Sequence, residues 1–167
     1  MRQSLRLIVV LFALAVSLAF ALVKPLAGRA DTAGHKATRK LASAKASLMG
    51  QRVVAYAKRF VGVRYVWGGS TPRSGFDCSG FVRYVYAHFG VSLPHSSYAQ
   101  FNDGRRVSRN SLRPGDLIFF DGLGHVGMYI GNGRFIHAPH TGTRVRVEKL
   151  AGWYSSRFDG ARRLRIS

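Results

Sequence analysis

From Gln51 onward, Val53, Ala57, Phe60 and Val61 recur at helical spacing until Gly62, a pattern that predicts one short amphipathic helix. The stretch "YVWGGSTPRSG" (65–75) carries three glycines and a proline and reads as a shaped loop. Cys78, Val82, Val85 and Phe89 then fall at i, i+4, i+7 and i+11, one face of a second helix that Gly90 stops. A loop with Pro94 and a short helical turn around 97–101 follow, and the pattern then changes period. "RPGDLIFF" (113–120) is a turn into a strand, and "HVGMYIGNGRFIHA" (125–138) is two apolar runs around Asn132-Gly133, a strong hairpin signal. "TRVRVE" (143–148) alternates strictly, and "ARRLRIS" (161–167) adds a last strand. Helices first and antiparallel strands afterwards predict an α+β domain with N-terminal helices packed on a mainly antiparallel sheet.

The chain ahead of this domain has a different texture. Two arginines precede the apolar run 7–23, which Lys24 and Pro25 end, the layout of an export signal with small-residue cleavage positions after Ala21 or Ala30. An uncleaved membrane anchor is the alternative, because the run is nearly long enough to span a bilayer. Residues 24–50, rich in Ala, Lys, Arg and Ser, bury too little apolar surface to fold alone and read as a flexible tether. The expected organisation is therefore 1–30 signal peptide or anchor, 31–50 basic tether and 51–167 folded domain, the last lying outside the cytoplasm, secreted to cell wall or periplasm. Lys and Arg number 26 against 7 acids, a net charge of +19, which favours polyanionic partners. Anionic wall polymers held by the tether are the expected ones. No helix-turn-helix, zinc-finger or RNA-recognition pattern is present, so no specific nucleic-acid partner is expected.

The chain has one cysteine, Cys78, where export normally favours pairs. A lone cysteine is as readily a buried small hydrophobe as a nucleophile. Asp77, a favoured N-cap, would make Cys78 the first helical residue, where the helix dipole and free N–H groups lower a thiol pKa, and Gly80 would leave room for a substrate. A nucleophile needs a base. Of six histidines, His35 falls in the tether, His88 on the second helix and His95 in a loop, while His125 and His137 stand near the ends of the two hairpin strands and His140 follows them. A regular two-residue hairpin loop pairs 128 with 137 and puts His125 and His137 on opposite faces. A three-residue loop, 131–133 with a bulged left-handed Gly133, pairs 127 with 137 and makes them diagonal neighbours on one face. The catalytic reading needs the second register, with His125 taking the thiol proton and His137 orienting its imidazole. The spacing of Cys78, His125 and His137 matches no zinc motif, and neither metal nor cofactor is expected.

"YVWGGSTPRSGFDCSGFVRYVY", "LPHSSYAQF", "LRPGDLIFF", "HVGMYIGNGRFIHAP" and "WYSSRFDGARRL" together resemble the successive motifs of the NlpC/P60 cell-wall peptidases over about residues 51–167. The resemblance implies a papain-like fold and a cysteine endopeptidase that cleaves peptidoglycan stem peptides, at the bond between γ-D-glutamate and the diamino acid, through a thioester. It implies Cys78 as nucleophile, His125 as base and His137 as third member. It further implies that Tyr65 stabilises the oxyanion with the Cys78 N–H, and that Asp77 and Ser79 hold the free amino end of the stem peptide. His95 departs from the arginine many members carry there, and one extra residue separates Tyr65 from Cys78. The alternatives are an amidase or acyl transferase using the same triad, or a non-catalytic peptidoglycan-binding module.

Overall fold

The computed structural model of the chain describes residues 30–166, so the expected export segment lies, but for its last residue, outside the described residues. The chain divides at Leu41 and Ala42 into two units, of which the second, 42–167, is the folded domain. The first helix, α1, is Ala30–Lys58, longer at its start than the 51–61 pattern predicts. Residues 31–50, expected as a flexible basic tether, are helical in this structure, which their Ala, Lys, Arg and Leu content and lack of proline favour. The second compact unit takes in residues ahead of Gln51. Gly50 is buried in α1 so close to the next loop that a Cβ there would lie 2.1 Å from the Pro114 carbonyl oxygen.

After α1 come β1 (Ser70–Thr71) and β2 (Gly75–Phe76), a hairpin of two-residue strands inside the stretch expected as a loop, then α2 (Cys78–Ala87) and α3 (Ser97–Gln100). The strands β3 (Arg105–Val107), β4 (Leu117–Phe120), β5 (His125–Gly131), β6 (Arg134–His137) and β7 (Arg146–Lys149), the short helix α4 (Gly152–Ser156) and β8 (Phe158–Arg163) complete the domain. The sheet has six strands in the order β3-β8-β4-β5-β6-β7, every neighbouring pair antiparallel. The α+β architecture with helices on an antiparallel sheet is thus the one the sequence predicts.

Each face of the sheet carries its own core. On one, Val53, Val54 and Ala57 of α1 and Phe81, Val82 and Val85 of α2 pack with Leu117, Phe119, Val126, Met128 and Ile136. On the other, Ile118, Phe120, Phe135 and Ala161 form a second cluster closed by Tyr129, Leu150, Tyr154 and Phe158. Full burial of side chains this large stabilises by about 1.5–3 kcal/mol each. β5 is covered on both faces, so its sequence is a continuous apolar run without polar alternation. α2 is thereby pressed against β5, and the first residue of α2 faces the first turn of that strand.

Candidate active site

Asp77, extended at φ −89° and ψ 179°, caps α2 by accepting a hydrogen bond from the Gly80 N–H at 2.6 Å. Cys78 is therefore the first helical residue, half-buried at the edge of the first core, with its sulfur within hydrogen-bonding reach of the Val126 backbone. Helix position alone predicts a depressed thiol pKa, and the structure reverses that. Burial pushes the Cys78 thiol up and the Asp77 charge adds to it, outweighing the backbone hydrogen bonds at Val126, Ser79 and Cys78 itself that pull down.

The Asp77 carboxylate also accepts from the Gly68 N–H at 3.0 Å and from the Ser79 hydroxyl at 3.1 Å, and His95 Nε2 lies 2.9 and 2.8 Å from its two oxygens. These contacts fill the lone-pair directions of a carboxylate that is only 8 % exposed. Asp77 thus ties two segments to the start of α2: the loop that carries Tyr65 and Trp67, and the His95 loop. Gln100, fully buried, reinforces this by donating to the Ser79 and Pro94 carbonyls at 3.0 and 2.8 Å. Gly80 does not leave space for a substrate as expected. A Cβ there would lie 2.1 Å from the Gly69 carbonyl oxygen and 2.8 Å from His95 Nε2, so the absent side chain admits the protein's own loop. Gly80→Ala should therefore destabilise the domain by about 1–3 kcal/mol, read as a shift in urea midpoint, since backbone rather than a side-chain tip must move.

Tyr65 is half-buried and packs on the first core. Its N–H donates to the Thr143 carbonyl at 2.8 Å, and the next N–H, of Val66, donates to Phe76 at 3.0 Å, fixing the loop on both sides. Burial, then the negative charge Cys78 can carry, then Asp77, push the phenol pKa up, so its hydroxyl remains a donor.

The hairpin reaches the register that brings the two histidines together by a different device from the three-residue loop expected. Asn132 and Gly133, at φ 52° and 64°, form a two-residue turn that pairs Gly131 with Arg134. A separate bulge at Ile130 then shifts the register, so that Tyr129 pairs with Phe135 and Met128 with Ile136. His125 and His137 emerge on one face as diagonal neighbours, and His125 Nε2 lies 2.8 Å from His137 Nδ1. Nδ1 is the remaining nitrogen with which His125 can meet a thiol. Burial lowers the His125 pKa to about 4, His140 adding and Asp121 opposing. His137, fully buried, is pushed down further by burial and by the positive charge that His125, Arg146 and His140 can carry. Both imidazoles are neutral at pH 7, and so is the Cys78 thiol, whose sulfur reaches the backbone of Val126, the residue next to His125 in the chain.

The backbone entering His125 is strained. Asp121, Gly122 and Leu123 have φ of 58°, 63° and 69°, a left-handed turn that Asp and Leu rarely adopt. Arg157 Nη1 donates to Asp121 Oδ1 at 2.6 Å and the Leu123 N–H to Asp159 Oδ2 at 2.8 Å, which hold it. These partners lie 36 residues apart, beyond any local sequence signal. Of the other histidines, His88 stacks on Tyr56 at 3.8 Å, and His35 and His140 are exposed. Among the described residues no group of three His, Cys, Asp or Glu side chains is arranged to hold a metal ion.

The family model described as "NlpC/P60 family" matches residues 62–163. The chain is 45% identical over 104 residues to "Probable endopeptidase p60" of Listeria innocua, covering 60% of this chain and 22% of that protein. It is 41% identical over 118 residues to "Gamma-DL-glutamyl hydrolase" of Bacillus subtilis, covering 66% and 28%. It is 41% identical over 113 residues to "Murein DD-endopeptidase MepH" of Escherichia coli, covering 62% and 42%. The chain thus spans less than half the length of each of these relatives. Among solved structures, the NlpC/p60 domain of peptidoglycan hydrolase SagA superposes with a TM-score of 0.63 at 38% identity, covering 69% of this chain and 98% of that one.

Proposed function

Given that this chain belongs to the NlpC/P60 family, we propose that it is a peptidoglycan hydrolase, a cysteine endopeptidase that cleaves stem peptides at the γ-D-glutamyl–diamino acid bond. The observation that carries the reading is the 2.8 Å contact of His125 with His137, together with a thiol at a helix N-terminus whose sulfur reaches the backbone of Val126, next to His125.

In this reading Cys78 Sγ attacks the scissile carbonyl carbon as its proton passes to His125 Nδ1. The oxyanion receives the Cys78 N–H and the Tyr65 hydroxyl. His125 then protonates the departing amine, leaving a thioester that water cleaves with His125 again as base. Because the resting pair is neutral, charge separates only as the bond to carbon forms, and Tyr65 is a donor where the negative charge develops. Asp77 organises the site through its ties to Gly68, Ser79, Gly80 and His95. Its role and that of Ser79 in holding a substrate amino group remain part of the proposal, with the hydrogen bonds just described as competitors. Export by 1–30 and attachment of 31–50 to anionic wall polymers complete it. Wall association that survives deletion of 31–50 would remove the attachment.

The relatives' names include both DL- and DD-cleaving enzymes, so the bond is what a test must read. The unmutated protein, with Cys78→Ala as control, is incubated with L-Ala-γ-D-Glu-diaminopimelate peptides and with intact peptidoglycan, and products are identified by mass spectrometry. Release of L-Ala-D-Glu by the unmutated protein alone is expected. Products split between stems would assign the DD cross-link, and products split at the sugar–peptide link an amidase with the same triad. Binding without turnover would replace the enzyme by a binding module.

A further inference from the structure

The far nitrogen of His137, Nε2, is buried without a hydrogen-bond partner among the described residues. An orphaned polar atom on a fully buried ring calls for a physical reason. The ring is enclosed by aromatics: Phe135 with its centroid at 4.6 Å, and Tyr154 at 5.3 Å and 87° to the imidazole plane. Phe120 backs the enclosure, 5.2 Å from Phe135 and 5.3 Å from Tyr154. Tyr154 belongs to the "WYSSRF" stretch, and the charges of Glu148 and Arg146 lie close enough to act on its hydroxyl. Building on the proposed reaction, we propose that Tyr154 is a positioning residue whose ring, closing the aromatic enclosure of His137, fixes the tautomer of the histidine pair so that His125 Nδ1 is free to accept the thiol proton.

Proton placement distinguishes two arrangements of the pair. Two neutral imidazoles joined Nε2 to Nδ1 share one hydrogen in that bond. If His137 Nδ1 holds it, His137 Nε2 is a bare, buried lone pair with no donor among the described residues, and His125 must carry its own proton on Nδ1, where it cannot serve as base. If His125 Nε2 holds it, His137 carries its other proton on Nε2 and His125 Nδ1 is bare. Among the described residues no donor reaches Nε2, so a lone pair there is left wholly unpaired, whereas the surrounding π systems can accept weakly from an N–H. The enclosure therefore selects the second arrangement, and the unpartnered nitrogen is the mark of that selection.

The test is made on the full chain labelled with ¹⁵N-histidine, by long-range nitrogen–proton correlation at neutral pH. Protons on Nε2 of both His125 and His137, with both Nδ1 atoms bare, are expected. A proton on either Nδ1 overturns the proposal whether or not any peptide is cleaved, which separates its failure from that of the proposed reaction. Tyr154→Leu is expected to populate the other tautomer and to lower kcat by about three- to tenfold with KM nearly unchanged, and Tyr154→Phe, which keeps the ring, to restore both. A Leu variant with the original tautomer and full kcat would also overturn it, as would a Phe variant as impaired as Leu.

Discussion

Replacing His125 by glutamine is expected to lower kcat/KM by about 10²- to 10⁴-fold with the fold retained, the range general-base catalysis supplies. The expectation follows from protonation states. A thiol raised by burial is not a thiolate at pH 7, so Cys78 depends on proton removal during attack. His125, neutral because burial depresses it to about 4, is available to do this across the neutral range. Glutamine keeps a polar group beside His137 and lacks the basicity. A second measurement does not depend on substrate. Alkylation of the unmutated protein by iodoacetamide should rise with pH through and beyond neutrality, since a raised pKa means that the thiolate fraction is still growing there. A flat rate from pH 5 to 8 would indicate a preformed thiolate–imidazolium pair and refute the neutral pair.

Much of this site was legible because its parts are local. Asp77 and the stripe of Cys78, Val82 and Val85 lie within one short helix, so cap and face follow from spacing. The Asn132-Gly133 turn was equally local. The Ile130 bulge was not, because β5 is apolar on both faces and an apolar run carries no alternation from which register can be read. The same limit hid the Asp77–His95 link, which crosses 18 residues, and the two-residue strands β1 and β2, too short for a period. It also explains the error over the thiol: the helix end is a sequence feature, whereas the burial that outweighs it comes from the packing of α2 on the sheet.

That burial has a cost that shows in acid. The unfolded chain's histidines take up protons as pH falls through about 6.5, whereas folded His125 does not until about 4. Between those values the unfolded state binds the extra proton, so stability is full above pH 6.5, declines as pH falls, and is lost in full once pH has passed through the folded value. For His125 this amounts to about 3 kcal/mol at about 1.4 kcal/mol per unit. His137 shifts in the same direction, while Asp121, which opposes the His125 shift, cannot cancel it. Urea unfolding at pH 7, 6, 5 and 4 should show this loss in the unmutated protein. The double variant His125→Gln, His137→Gln, with nothing to protonate at the pair, should lose less stability over this range, by at least that amount. Parallel curves would mean that the imidazoles titrate in the folded site nearly as in water, and a base so exposed would have its acid limb near pH 6.5 rather than near 4. The stability slope and the acid limb of turnover therefore report one quantity, the exclusion of water from the histidine pair, and must move together in any variant that opens the site.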